Sequence, residues 1–151
     1  MSTIKVDTYL TRGGASEIAI DKLKGVTAAG SMLVVGEGGT TTTSLQQGLA
    51  KAWVQFKGPD TFGIQDSFNL TSMTDNGTGD YTLTIANDMV NALYSATATG
   101  YKASADHGFI TNNNQNYFTA STLRLETVEH DGGHKVTEFT QSCVTIHGDL
   151  A

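Results

Sequence analysis

The sequence predicts an all-β fold, an antiparallel, jelly-roll-like β-sandwich preceded by an extended N-terminal arm. Through residues 49–151, short segments of alternating apolar and polar residues are separated by polar turns rich in Asn, Asp and Gly. Residues 1–48 instead contain Gly pairs and a Thr run, with no apolar segment long enough to form a core. A chain of 151 residues suits one domain plus an extension. We therefore assign residues 1–48 to the arm and 49–151 to a head domain.

The arm is expected to gain order from other chains. Ile4, Val6 and Thr8 alternate with polar residues, as in a half-buried strand. A small strand pair without a core of its own is only marginally stable in water. Ile4 and Val6 are therefore candidate subunit-interface residues, and a disordered tail is the alternative interpretation.

The head begins with a clear strand. Ala52, Val54 and Phe56 occupy one side of the alternation, while Trp53 and Lys57 occupy the other. This parity predicts that Trp53 points outward, which makes it a third candidate subunit-interface residue.

The next segment is also expected to be a strand. Ile64 and Phe68 fall on one predicted face, and Asp66 falls among them. An unpaired carboxylate on a buried face is costly. We therefore expect Asp66 to accept hydrogen bonds from a buried partner or to lie at a subunit interface.

The stretch TDNGTGDYTLTI, residues 74–85, predicts a hairpin. Asn76-Gly77 supplies the positive φ angles of a tight turn, and alternation resumes from Tyr81. Asp75 and Asp80 also offer hard oxygen ligands, so a calcium loop is the alternative. The spacing lacks the distal Glu of such a loop, which favours the hairpin.

Three further alternating segments predict the remaining strands, and one segment, 87–93, predicts a helical turn. The strands are expected at 94–101, 117–128 and 138–147. Six to eight short strands at regular spacing are typical of a sandwich or small barrel.

No cluster predicts catalysis, a metal or a cofactor. His130 and His134 flank a Gly pair that opposes the helix on which their spacing would form a zinc site. Asp106-His107 could belong to a hydrolytic triad, but the chain contains no nucleophile elbow to complete one. We expect polar turns at both places, and a protein that is not an enzyme.

A polar loop is the candidate receptor contact. Asn112, Asn113 and Asn114 precede Tyr117, and amides with an adjacent aromatic ring suit hydrogen bonds and stacking with a sugar. The same composition also describes an ordinary polar loop.

The charge distribution excludes some partners. Residues 1–48 carry four basic and four acidic residues, whereas residues 49–151 carry five basic and eleven acidic ones, so the net charge of -6 lies in the head. An acidic head without a basic stripe argues against nucleic acid, and no apolar run is long enough for membrane insertion. The single Cys143 is expected to be a buried apolar thiol.

Residues 50–58 (AKAWVQFKG) and 64–85 (IQDSFNLTSMTDNGTGDYTLTI), with the alternating segments up to Tyr101, resemble the distal trimeric domains of tail fibres in marine and cyanobacterial phages. The first six residues, MSTIKV, are similar to the starts of such proteins. Asp75 to Tyr81 is the most specific part.

The resemblance implies a homotrimeric phage virion structural protein, assembled in the host cytoplasm. It would be a tail fibre or short fibre whose arm attaches to other virion proteins and whose head contacts a host-surface glycan or protein. A capsid decoration protein or capsid fibre is the alternative. A polysaccharide-degrading enzyme using Asp66, Asp80 or His107 is a third hypothesis.

Overall fold

The computed structural model describes residues 32–103, 108–111, 117–129, 133 and 135–151. These residues contain eleven strands and one four-residue helix, α1 (Leu45–Gly48). The strands are β1 (Leu33–Val35), β2 (Thr42–Ser44), β3 (Ala52–Lys57), β4 (Gly63–Phe68), β5 (Leu70–Gly77), β6 (Asp80–Ile85), β7 (Ser95–Tyr101), β8 (Gly108–Thr111), β9 (Thr122–Glu129), β10 (Lys135–Val136) and β11 (Gln141–His147).

The predicted all-β sandwich is confirmed. A four-stranded sheet has the order β4-β3-β11-β7. A five-stranded sheet has the order β10-β9-β6-β5, with β8 also paired to β9. Every pairing is antiparallel. The two sheets pack face to face, and β1 and β2 form a separate two-stranded hairpin.

The core lies between the inner faces of the two sheets. The alternation predicted from sequence positions its side chains, because every second residue of a strand points to the same face. From the four-stranded sheet it takes Ala52, Val54, Phe56, Val144 and Ile146, and from the five-stranded sheet Met73, Tyr81, Leu83, Ile85, Leu123 and Leu125.

Asn69 is the single residue at which the chain leaves β4 and enters β5, so it switches sheets there. Its φ is 56°, in the left-handed region that Asn tolerates better than most residues. Its side-chain amide donates to Lys51 O (2.8 Å) and Asn87 O (3.3 Å), and its Oδ1 accepts the Asn87 backbone N–H (2.9 Å). One side chain therefore ties the switch to two other segments.

Two expectations about local structure are wrong. Residues 87–93 form no helical turn, because Met89 is drawn into a β-bridge with Leu150 and is buried. Ile64 and Phe68 do not form a buried face, since β4 is an edge strand and both side chains are exposed. Asp66 is exposed with them, so it needs no buried partner; its Oδ1 accepts the Ser67 N–H.

The hairpin of β1 and β2 exposes apolar side chains on both of its faces. Leu33, Val34 and Val35 are 55%, 46% and 59% exposed. Helix α1, which follows this hairpin, is joined to the head, because the Gln47 side-chain amide donates to the Asp149 carboxylate. The described residues include no helix long and apolar enough to cross a membrane.

Replacing Asn69 by Ala is expected to lower the free energy of unfolding by about 2 kcal/mol. The change removes several hydrogen bonds, and Ala adopts the left-handed backbone conformation less readily than Asn does. Urea unfolding measures the change. The control is Asn91→Ala, which removes only the bond from the Leu93 N–H in an exposed loop. Equal effects of the two variants would contradict the role of Asn69.

Candidate functional site

The stretch 74–85 forms the predicted hairpin, with its turn placed later than expected. The turn residues are Thr78 and Gly79, between Gly77 and Asp80, which pair with each other. Positive φ angles occur at Gly77 (136°) and Gly79 (67°), and Asn76 is not among the residues with positive φ. A register shift between Asp75 and Gly77 places an irregularity before the turn. The expectation that Asn76 takes a positive φ is therefore wrong, because this irregularity moves the turn onto the second glycine.

Gly79 is held by backbone on two sides. A Cβ there would lie 2.5 Å from Thr137 O and 2.9 Å from Thr127 O. The Thr127 N–H donates to Gly79 O (2.8 Å), which joins the turn to β9. The turn therefore fits against the sheet only when this position lacks a side chain.

Glu138 completes this contact from the segment between β10 and β11. Its Oε1 accepts the Gly79 N–H (2.9 Å) and its Oε2 accepts the Tyr81 hydroxyl (2.5 Å). Burial, and then the hydrogen bond to Glu138, raise the pKa of Tyr81 far above its usual value. Tyr81 thus stays a neutral donor to the carboxylate.

Replacing Gly79 by Ala is expected to destabilise the protein by about 3 kcal/mol, because the added methyl group collides with backbone atoms and the backbone conformation is strained for Ala. Thermal and urea unfolding report the loss. Gly38→Ala is the control, since Gly38 has open space around it and no positive φ. If Gly79→Ala were as stable as the control, the contact would not constrain the turn.

The carboxylates of the hairpin are engaged by protein groups. Asp75 Oδ1 accepts the Gly77 N–H (3.0 Å). Asp80 accepts two hydrogen bonds from Arg124, one from Nε at 2.8 Å and one from Nη2, and another from Asn76. Across the part of the chain that the structure describes, no group of three or more His, Cys, Asp or Glu is placed to hold a metal ion. The geometry therefore favours the hairpin over the calcium loop.

Tyr117 joins this network on the outer face of the five-stranded sheet. The Arg124 guanidinium carbon lies 5.0 Å from the centroid of the Tyr117 ring, a cation–π distance. The side chain of Asn76 also donates to Thr82 Oγ1 (2.8 Å). The result is a polar surface, the Tyr117 face, formed by Asn76, Asp80, Thr82, Tyr117 and Arg124. Its charged groups pair with each other, and its Arg124 side chain is partly exposed.

The Arg124 hydrogen bond is the main reason that the pKa of Asp80 lies below its ordinary value of 3.8. A carboxyl group with a lowered folded-state pKa contributes stability above its unfolded value, and this contribution is lost as the pH falls through the folded value. Asp80→Asn is therefore expected to be less stable than the natural protein at pH 7.

The two proteins should become equally stable well below pH 3.8, where Asp80 is protonated. Urea unfolding at a series of pH values measures the convergence. The control is Asp66→Asn, which removes an exposed carboxylate that lies outside this ion pair. A difference between Asp80→Asn and the natural protein that persists in acid would exclude the ion pair as its cause.

Trp53 lies on the outer face of the four-stranded sheet, as its parity predicted, and it is half-buried. Its paired neighbours there are Phe68 on β4 and Thr145 on β11. Cys143 lies on the same outer face, paired with Gln55 and Thr99. The expectation of a core thiol is therefore wrong, since this register gives Cys143 the outward parity of Trp53.

Several predicted residues are outside the described residues. They are Ile4, Val6, Asn112, Asn113, Asn114, Asp106, His107, His130 and His134. Of the candidate receptor contacts, only Tyr117 is described. Asp66 and Asp80 point away from each other on the outer faces of different sheets, so they do not form a pair of acid and base groups.

Sequence reasoning missed Glu138, which it treated only as the first residue of a strand. Its partners come from positions more than fifty residues away, at Gly79 and Tyr81. The second glycine of the hairpin was the available signal, because it marks a close backbone approach without naming the partner.

Comparison of the chain with protein-family models, with curated protein sequences and with solved structures finds no match.

Proposed function

We propose that the protein is a homotrimeric phage virion structural protein, a tail fibre or short fibre whose head domain adheres to the host surface. The observation that carries this proposal is the uncharged centre of the outer face of the four-stranded sheet. The resemblance of residues 75–81 to tail-fibre domains supports the virion assignment. The arm would attach to other virion proteins.

The uncharged centre suits contact between identical chains. This centre is the cross-strand row of Phe68, Trp53, Thr145 and Thr97, which crosses all four strands, and the next row continues it with Gln55, Cys143 and Thr99 and ends in Asp66 on β4. The charged side chains on this face include Asp66 on the edge strand β4 and Lys57 at the end of β3. Copies of a chain with a net charge of -6 repel one another. They therefore approach most favourably through a row without charge.

Phe68 and Trp53 give this face its apolar area. Phe68 is 53% exposed in the single chain, and exposed aromatic side chains are enriched in protein interfaces. Burying such a ring stabilises an assembly by about 1 kcal/mol or more. The exposed aromatic rings therefore favour contact with another copy of the chain, and the uncharged row reduces the repulsion that would oppose it.

The sheet face alone is smaller than a stable interface needs. Four strands about 4.8 Å apart and about six residues long span roughly 400 Å², against about 800 Å² per partner in a standard interface. The hairpin of β1 and β2 supplies further apolar surface through Leu33, Val34 and Val35. We therefore propose that the hairpin and the sheet face both contribute to the trimer.

The proposed mechanism is multivalent adhesion. Three heads held together present three identical sites, and the second contact forms at the high effective concentration set by the first. Weak single sites then suffice for attachment. A capsid decoration protein would use the same assembly, and its copy number per particle would follow the capsid symmetry.

Light scattering coupled to size exclusion tests the proposal on the full chain. We expect a mass near three chains for the natural protein, and a shift toward one chain for Phe68→Glu, because the new charge would be buried in the contact. The control is Thr74→Glu, an exposed position on β5 in the other sheet. It should leave the mass unchanged.

Far-ultraviolet circular dichroism of both variants verifies that the sandwich is intact. A natural protein with the mass of one chain would exclude the homotrimer. A trimer unaffected by Phe68→Glu would exclude this face as its contact.

A further inference from the structure

A cleft of about 620 Å³ lies where the ends of β3, β7 and the segment leading into β11 meet. This volume is in the range of small-ligand sites. The polar residues that line it are Lys57, Asp60, Lys102, Thr137, Glu138 and Thr140. Pro59 and Ala103 add apolar surface. The cleft is separate from the Tyr117 face, because none of its lining residues belongs to that network.

The cleft walls are held in place by contacts already made. Glu138 is fixed by the Gly79 N–H and the Tyr81 hydroxyl. Thr140 Oγ1 accepts the Ala103 N–H (3.1 Å), which joins two sides of the cleft. Asp60 has a φ of 64° next to Pro59, whose ring restricts the loop. The lining groups are therefore largely positioned before a ligand arrives.

The charges of the lining sum to zero, with two lysines and two carboxylates. Lys102 is directed to the buried Glu129, at 2.6 Å between Nζ and Oε2. Both oxygens of Glu138 already accept a hydrogen bond. Lys57 and Asp60 make no ion pair with other described residues within 4.0 Å. One ammonium donor and one carboxylate acceptor thus remain for a ligand.

We propose that this cleft binds a neutral saccharide and is the place where the head contacts its receptor, an inference that rests on the proposed adhesion function. A sugar hydroxyl both donates and accepts a hydrogen bond, so it can be satisfied by Lys57, Asp60 and the threonine hydroxyls together. A phosphate, sulfate or carboxylate group would meet Asp60 and Glu138 at the cost of like-charge repulsion. A cationic ligand would meet the two lysines.

The affinity of one cleft is expected to be low. No aromatic side chain is among its lining residues in the described part of the chain, so the sugar ring gains no stacking surface. Hydrogen bonds exchanged with water contribute little net free energy each. We expect a Kd of about 1 mM for a single sugar, which multivalent attachment raises to useful avidity.

The experiment is a titration of the full-length, isotope-labelled protein followed by backbone amide shifts in nuclear magnetic resonance spectra. The probes are the methyl glycosides of glucose, galactose, mannose and N-acetylglucosamine, with glucuronic acid and galactose 6-sulfate as charged comparisons. We expect shifts at Lys57, Asp60, Ala103 and Thr140 with at least one neutral probe. The charged probes should bind more weakly.

Asp60→Asn is the diagnostic variant. Asn tolerates the positive φ as well as Asp does, so the loop keeps its shape while the acceptor charge is lost. Binding should weaken about fivefold, because the amide oxygen of Asn still accepts a hydrogen bond but forms a weaker one than a carboxylate does. The control is Asp88→Asn, an exposed residue that is not in the cleft, which should bind like the natural protein.

Four results would each overturn the assignment of the cleft. The shifts could be confined to the Tyr117 face, or the charged probes could bind more tightly than the neutral ones. The affinity of Asp60→Asn could equal that of the natural protein, or no neutral probe could shift the amides of the cleft. The mass measurement decides the homotrimer separately. A monomer that binds sugar in the cleft refutes the trimer and leaves the cleft standing. A trimer that binds none refutes the cleft alone.

Discussion

The two hydrogen bonds accepted by Glu138 join parts of the sandwich that are far apart in sequence. One oxygen receives the tip of the β5–β6 hairpin, and the other receives Tyr81, whose ring lies 4.8 Å from Phe56 and 5.6 Å from Phe62 by centroid. Glu138 is half-buried, and a carboxylate that is partly removed from water is costly unless its oxygens are paired. Two glycines let the backbone come close enough to form this pairing. A Cβ at Gly58 would collide with Glu138 Oε2 and the Tyr81 hydroxyl, and a Cβ at Gly79 would collide with backbone oxygens. Turn, core aromatics and cleft wall therefore depend on one side chain.

The two outer faces of the sandwich differ in chemistry, and this difference organises the proposed function. Ion pairing and hydrogen bonding concentrate on the outer face of the five-stranded sheet, around Asp80 and Arg124. On the opposite outer face, the row of Phe68, Trp53, Thr145 and Thr97 carries no charge, and Asp66 lies in the next row on the edge strand. The proposed assembly of acidic chains uses this separation, since like charges at the contact would oppose association. The cleft lies at a strand end, where neither outer face has to be interrupted to admit a ligand.

Strand periodicity predicted the all-β sandwich, the inward residues of β3 and the outward position of Trp53, because an alternating pattern records which face is buried. It misassigned β4, where an apolar pattern on an edge strand does not imply burial. It also misassigned the segment around Met89, where a bridge to Leu150 overrides local helix propensity. Strand periodicity did not predict the Asp80–Arg124 pair or the contacts of Glu138. Both join residues more than forty positions apart, and no local pattern specifies such partners.

Asn69 and Asn76 each begin an Asn-X-Thr sequence, and both side-chain amides are already engaged within the fold. A glycan attached to either side-chain nitrogen would break hydrogen bonds that this nitrogen donates. At Asn69 the lost bonds would be those that hold the single residue between β4 and β5. Production in a eukaryotic secretory pathway would therefore set oligosaccharide transfer against folding. Synthesis in a bacterial cytoplasm avoids this competition, so the hydrogen bonds of two asparagines bear directly on the choice of expression host.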